Sequence, residues 1–364
     1  MKQEQIIIFS DEPYGNNGNT HQHYTDELSK NNLVLFVNPP SGWNPFKVFK
    51  KREIGHGKNL AFTQYFNILP LGIKNKWYLQ FAMWFNDWYN AIGIRKYLNN
   101  QVEQPILLYF DPFRGIYIDK FIRYKKSIFF ILDPYFKMPF NSILAKRVDK
   151  VFSVNSSFTS YYTKLNKNFE VVPHGISSEE LLIDTDKVNS YRKKYGQFIL
   201  LIGSLNNDVD FELLIKIADS FSQNLVIIGR KVLSSAKSEE NFNKLLQFEN
   251  VKYIGFKDYR LLNTYIAASS LCIVPYDTSR EGFGRNPIKI ANYIAHKRPV
   301  INTVNLQDLE ILENKILFTA SNHEDFINYI QKFFGGDLEI DERFIDLYHQ
   351  NVSYEVLSQK LINS

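Results

Sequence analysis

The sequence predicts an α/β protein of two domains, each built on a parallel sheet. Two observations carry that expectation. Apolar runs of four or five residues alternate with longer helical stretches through both halves of the chain, and each run ends in Gly, Pro, Asp or Asn. A length of 364 residues is also long for one core and sufficient for two.

In the first half, residues 6–9 read as a buried strand. A loop over 10–20 containing Gly15 and Gly18 follows, then a helix over 20–30 and a strand over 33–37 stopped by Pro39 and Pro40. Gly15 and Gly18 do not form the G-x-G-x-x-G dinucleotide fingerprint, which argues against a nicotinamide-dependent dehydrogenase. Between Trp77 and Tyr97, a helix-like segment spaces Trp77, Phe81, Trp84, Phe85 and Trp88 by threes and fours. Such a stripe suits a core; beside Lys74, Lys76, Arg95 and Lys96 it also suits an interfacial helix. Strands over 106–110 and 128–132 run into Asp111-Pro112 and Asp133-Pro134, which would set both carboxylates at the carboxyl edge of a parallel sheet. A helix over 141–147, a strand over 151–154, the N-cap cluster Asn155-Ser156-Ser157 and a strand over 169–173 close the half, with a linker expected near 174–190.

The second half restarts the pattern. A strand over 198–202 ends in Gly203-Ser204, a helix covers 211–221, a strand over 225–228 ends in Gly229-Arg230, and a strand over 251–254 leads to Gly255 and a helix over 259–268. Then come a buried strand over 271–274, a loop, a helix entered at Pro287, and an apolar strand over 299–301. Within the loop, Gly282 and Gly284 flank Phe283 and let backbone N–H groups approach a ligand, while the helix start adds the positive end of its dipole. An anion is the ligand such a place favours. Lys289 and Asn292, three apart, share a helix face, so a cation for phosphate and a carboxamide for ribose or base can address one nucleoside diphosphate. Arg230 is within reach of the same diphosphate or is a solvated loop residue; Gly203 and Ser204 offer backbone and hydroxyl donors. Tyr276 and Asp277 line a nucleoside pocket or shape the turn.

Pro287, Lys289, Asn292, Tyr293, Ala295, Pro299 and Val300 form a pattern that resembles the donor-site helix of GT-B glycosyltransferases, especially family 4-like bacterial enzymes of the teichuronic-acid and xanthan type. The pieces at Gly203-Ser204-Leu205 and at 226–229 resemble the same family, so the likeness covers most of the chain. The resemblance implies a GT-B fold of two Rossmann-like domains with parallel sheets facing a cleft. It places an acceptor-binding domain at 1–174, a nucleotide-sugar domain at 175–345, and a terminal helix at 346–364 crossing back to the first. The implied activity is transfer of a sugar from a nucleotide-diphosphate donor, expected to be a UDP-sugar, to a saccharide or lipid-linked acceptor in bacterial cell-surface polysaccharide biosynthesis. Lys289 would hold the pyrophosphate, and Asn292 stands where relatives carry Glu or Gln. The two glutamates eight apart that family 4 retaining enzymes carry are not matched: Gly284 stands eight before Asn292, and Glu281 is out of register. Stereochemistry is therefore open.

An inverting transfer needs a base from the acceptor domain, for which Asp133 and His21 are the candidates; relatives carry an acidic residue after the strand that precedes Asp133. A retaining transfer needs none. No metal ligands cluster in the sequence, so Lys, Arg and helix dipoles are expected to stabilise the departing diphosphate without a metal. No cofactor is expected, since the nucleotide-sugar is a substrate, and no nucleic acid partner. The competing reading is a non-catalytic nucleotide- or sugar-binding protein on the same fold.

A single cysteine, Cys272, lies in an apolar run and excludes an internal disulfide framework. No leader pattern follows Met1 and no apolar window is long enough to span a bilayer, so a cytoplasmic protein is expected. The net charge of +5 is uneven: positions 44–126 hold fourteen Lys and Arg against five Asp and Glu. That excess suits either a solvated face or peripheral contact with the anionic inner face of the plasma membrane.

Overall fold

A computed structural model describes residues 3–15, 19–40, 55–56, 59–98, 104–138, 140–178, 181–279, 287–304 and 306–364. The chain divides into two compact units, one of Met1–Pro173 with Leu357–Ser364 and one of His174–Val356.

In the first unit the order is β1 (Gln5–Phe9), α1 (Thr20–Asn31), β2 (Leu33–Asn38), β3 (Gly55–His56), β4 (Leu60–Gln64), α2 (Lys76–Leu98) and β5 (Ile106–Tyr109). Then follow β6 (Lys126–Ile131), α3 (Asn141–Arg147), β7 (Lys150–Ser153), α4 (Thr159–Tyr162) and β8 (Phe169–Val171). The sheet runs β3-β4-β2-β1-β5-β6-β7-β8 and is parallel except for the short β3, which pairs antiparallel with β4. In the second unit come α5 (Thr185–Tyr195), β9 (Phe198–Ile202), α6 (Phe211–Ser220), β10 (Asn224–Ile228), α7 (Ala236–Leu245) and β11 (Val251–Gly255). These lead to α8 (Tyr259–Ala268), β12 (Leu271–Val274), α9 (Ile288–Ala295), β13 (Val300–Asn302), β14 (Leu317–Thr319), α10 (His323–Gly335) and α11 (Glu342–Val352). Its sheet is wholly parallel, β11-β10-β9-β12-β13-β14.

The centre of each sheet explains the apolar runs. β1, β9 and β12 are buried along their whole length because helices cover both faces of a parallel sheet, and so they carry no alternation. Strand order reverses beside β1 in the first unit and beside β9 in the second. At such switch points the loops leave in opposite directions and open a crevice at the carboxyl ends of the strands.

Three expectations change. The linker expected at 174–190 is partly helix: α5 is capped by Asp184, whose side chain accepts from the Lys187 N–H, and it buries Val188 and Tyr195. The terminal segment expected from 346 is two helices broken at Ser353, and only Leu357–Ser364, the last part of α12 (Tyr354–Asn363), clusters with the first unit. The aromatic stripe on α2 is not core, since Trp77 is 83% and Phe81 54% exposed.

Candidate active site

The donor-side expectations converge at the β9/β12 switch point. β9 is followed by Gly203, with φ of +138°, a backbone conformation that L side chains rarely adopt. A Cβ there would lie 2.8 Å from Lys289 Nζ, so the ammonium of α9 occupies the space beside a bare backbone. The neighbouring turn is closer still. A Cβ on Gly229 would sit 1.8 Å from the Gly203 carbonyl oxygen, and the two turns are laced by Gly203 N–H to Ile228 O (3.0 Å) and Leu205 N–H to Arg230 O (2.8 Å).

Side chains fix the lysine's place. Its Nζ lies 5.0 Å from the centre of the Tyr276 ring, and Tyr276 is pinned to the end of β13 by Thr303, whose Oγ1 accepts from the Tyr276 N–H (2.9 Å) and donates to its carbonyl (2.8 Å). Tyr293, fully buried on α9, accepts the Ile202 N–H through its hydroxyl at 2.9 Å, tying the helix to the last residue of β9. Thr303 and the role of Tyr293 escape sequence reading. Among the described residues Lys289 has no carboxylate partner, and Asn292 Oδ1 is buried with no hydrogen-bond partner. A cation without a counter-ion and a buried carbonyl oxygen without a donor, on one helix face, are what a bound phosphate and a ribose hydroxyl would complete.

Arg230 is exposed, its guanidinium 4.2 Å from the Phe256 ring centre, and Ser204 is exposed beside Gly203. Asp277 takes the turn-shaping role, its Oδ1 accepting from the Ser279 N–H (3.0 Å) and hydroxyl (2.6 Å). Gly282, Phe283 and Gly284 lie outside the described residues, as does Gly18.

The acceptor-side candidates gather at the carboxyl edge of the first sheet. His21 is buried on α1, its Nδ1 2.9 Å from Ser10 Oγ and its ring stacked on Phe110 at 4.7 Å. Burial lowers its pKa to about 4 against a smaller opposing pull from Glu12, so the imidazole is neutral at physiological pH and a weak base. The folded state thus binds fewer protons than the unfolded chain between about pH 4 and the ordinary histidine pKa near 6.5, and acidification through that window destabilises it through this group. NMR titration is expected to show the His21 ring neutral down to about pH 5; protonation near 6.5 would contradict its burial.

Asp133 is exposed, and its carboxyl is raised above its ordinary range by desolvation on the protein side and by the charges of Asp11 and Glu12. Asp111 departs from expectation. It is fully buried, ion-paired with Arg114 and accepting from the Phe113 N–H at 2.5 Å, so it braces its own loop instead of facing solvent. The residue that sequence reading missed is Asp11. It follows β1, accepts from the Tyr135 hydroxyl at 3.0 Å through Oδ2, and leaves Oδ1 buried without a hydrogen bond, 3.4 Å from His21 Nδ1. Desolvation raises its pKa. The signal was present: Asp11, like Asp111 and Asp133, lies two residues past the end of a strand, with a Pro one or two residues on.

Comparison with known proteins follows this geometry. Residues 196–335 match the family model described as glycosyl transferases group 1. That span lies within the second unit. No curated protein sequence matches the chain. Among solved structures, sucrose-phosphate synthase from Thermosynechococcus elongatus is similar with a TM-score of 0.70 at 12% identity, covering 99% of this chain and 98% of that one. An E. coli structure titled trehalose-6-phosphate bound with UDP-2-fluoro glucose gives 0.71 at 10% identity, with 99% and 98% covered. Anabaena HepE, in complex with UDP and glucose, gives 0.67 at 14% identity, with 99% of each chain covered. The fold is GT-B, and the span matched by the family model holds Gly203, Arg230, Lys289 and Asn292.

Proposed function

We propose that the protein transfers a sugar from a UDP-sugar to a saccharide or lipid-linked acceptor in bacterial cell-surface polysaccharide biosynthesis, in the cytoplasm at the inner face of the plasma membrane. The observation that carries the reading is the Lys289 ammonium, without a carboxylate partner among the described residues, set against the bare backbone of Gly203 at the switch point of the second sheet. HepE with UDP and glucose, and the E. coli structure with UDP-2-fluoro glucose, share the fold and support uridine as the donor base.

In the transfer, the bond from the anomeric carbon to the β-phosphate oxygen breaks and the nucleoside diphosphate leaves with the electron pair. A bond from the acceptor oxygen to that carbon forms. Lys289, Arg230 and the N–H groups opening α9 stabilise the developing diphosphate charge, the task a divalent ion performs elsewhere, so turnover is expected to persist in EDTA. In an inverting transfer the acceptor proton passes to a carboxylate, and Oδ1 of Asp11, buried and without a hydrogen bond among the described residues, suits that role better than Asp133. Asp11→Asn is then expected to lower kcat about 100-fold or more with donor affinity intact, and Asp133→Asn to do less. A larger loss in Asp133→Asn would return the role to that residue, and NMR of the first-formed product fixes whether configuration inverts. The whole reading is tested by calorimetry: UDP should bind and uridine should bind much more weakly. Binding of UDP with no turnover of any UDP-sugar would favour the non-catalytic alternative.

A further inference from the structure

Helix α2 buries polar groups while it exposes large rings. Beside Ala82, Met83, Ala91 and Ile94, its buried face carries Asn86, Asp87 and Asn90, each under 3% exposed. Asp87 accepts from the Tyr65 hydroxyl (2.5 Å) and from the N–H groups of Gly115 (3.0 Å) and Tyr117 (2.8 Å). Asn86 accepts from the Ile68 and Leu69 N–H groups at 2.9 Å each, and Asn90 exchanges two bonds with Phe66, at 3.0 and 2.9 Å. Turning the helix to bury its tryptophans would strip all of these groups of their partners, so the rotation is fixed.

The opposite face is apolar and, among the described residues, exposed to solvent. Trp77, Phe81, Trp84, Trp88 and Ile92 follow one another at steps of four, three, four and four, with exposures of 83, 54, 37, 39 and 49%. Three of the four tryptophans in the chain lie in this row. A surface helix of a freely soluble domain puts charged and polar side chains there. The charges stand at its ends instead: Lys74 and Lys76 before Trp77, Arg95 and Lys96 after Ile92, all exposed. The shelf continues from Trp84 to Phe121, whose ring lies 5.5 Å away, beside a hollow of about 330 Å³ lined in part by Lys120 and Arg123.

We propose that α2 is an interfacial helix that lays this row along an anionic lipid surface, the aromatic rings at the boundary of headgroups and acyl chains and the basic ends among the phosphates. The inference rests on the peripheral-membrane part of the function above and locates it. No helix among the described residues is long and apolar enough to cross a membrane, and α2, about 34 Å long, has its polar face committed to the protein. Charge selects the lipid surface over a second copy of the chain. With Lys74, Lys76, Arg95 and Lys96 exposed at the ends of the row and Asp87, the one acidic residue of α2, buried, two such faces repel each other, whereas an anionic leaflet attracts each of them.

The test is vesicle flotation with the full chain, comparing phosphatidylcholine alone with a phosphatidylcholine and phosphatidylglycerol mixture. The expected result is binding to the anionic vesicles that weakens as salt rises, with a blue shift of tryptophan fluorescence. Trp77→Ser/Phe81→Ser/Trp88→Ser should lower that binding about tenfold or more, and Lys74→Gln/Lys76→Gln/Lys96→Gln should do likewise at low salt. Circular dichroism and a melting temperature unchanged from the wild type in both variants show that they are folded. If the wild type binds anionic vesicles and the aromatic variant binds equally well, α2 is not the anchor although the peripheral location stands. If the wild type ignores anionic vesicles at low salt, both fall. A dimer in light scattering that the aromatic variant abolishes would overturn the proposal in favour of a copy-to-copy interface.

Discussion

Replacing Lys289 by Ala is expected to weaken UDP binding roughly 10- to 100-fold while leaving uridine binding nearly unchanged. The selectivity follows from where the ammonium sits. Its Nζ lies against Gly203, over the Tyr276 ring, with no carboxylate among the described residues to share its charge. A charge-assisted bond to phosphate contributes about 1.5–3 kcal/mol, and every 1.4 kcal/mol is a factor of ten. Uridine has no phosphate to lose. Asn292→Ala should give the complementary pattern, a smaller loss shared by UDP and uridine, if its Oδ1, buried without a hydrogen bond among the described residues, meets the nucleoside as proposed. Calorimetry on the two variants with the two ligands makes four comparisons. Equal losses of UDP and uridine in Lys289→Ala would show that the lysine only props the turn.

Much of this site was legible because its parts are local. Lys289 and Asn292 share a face by helical spacing, and Gly203 and Gly229 end strands whose apolar runs announce themselves. What escaped was set by tertiary contact. Thr303 and Tyr293 are an ordinary threonine and tyrosine until the fold brings one to the Tyr276 backbone and the other to the Ile202 N–H. On α5 only Val188 and Tyr195 are buried, and α7 buries Ser238 with Phe242 and Leu245, so neither carries a strong apolar stripe.

The first unit teaches the same lesson in reverse. Periodicity in α2 shows that Trp77, Phe81, Trp84 and Trp88 share a face, and is silent on whether that face is the inner one. The decision belongs to Asn86, Asp87 and Asn90, whose partners at 65–69 and 115–117 are distant in the chain. Hydrophobicity alone favours burying the rings; satisfied polar groups on the other face overrule it. Asp111 and Asp133 likewise read as equivalents, each an Asp-Pro after a strand, until Arg114 three residues on takes one of them out of solvent.

Gly229→Ala is expected to be the most destabilising single-methyl change in the donor unit, and Gly203→Ala, one turn away, to spare the fold and damage binding. The new Cβ at 229 would lie 1.8 Å from the Gly203 carbonyl oxygen and 2.7 Å from its carbon, both backbone atoms that cannot rotate aside. The turns must part, and the bonds from Gly203 N–H to Ile228 O and from Gly229 N–H to Gly255 O go with them. Overpacking of this kind costs about 1–3 kcal/mol and each lost hydrogen bond about 1 more, so a total near 3–5 kcal/mol is expected. For a unit of this size that lowers Tm by roughly 6–20 °C. At Gly203 the Cβ would meet only the tip of the Lys289 side chain, at 2.8 Å, which can swing away, leaving the strain of a φ of +138° as the structural cost, about 1–3 kcal/mol. Swinging away removes the ammonium from the proposed diphosphate site, so UDP affinity should fall about as far as in Lys289→Ala. Calorimetric melting and UDP titration of both variants separate the effects. A Gly229→Ala protein that melts with the wild type would show that the two turns are not in contact, and the cradle built on them would have to be abandoned.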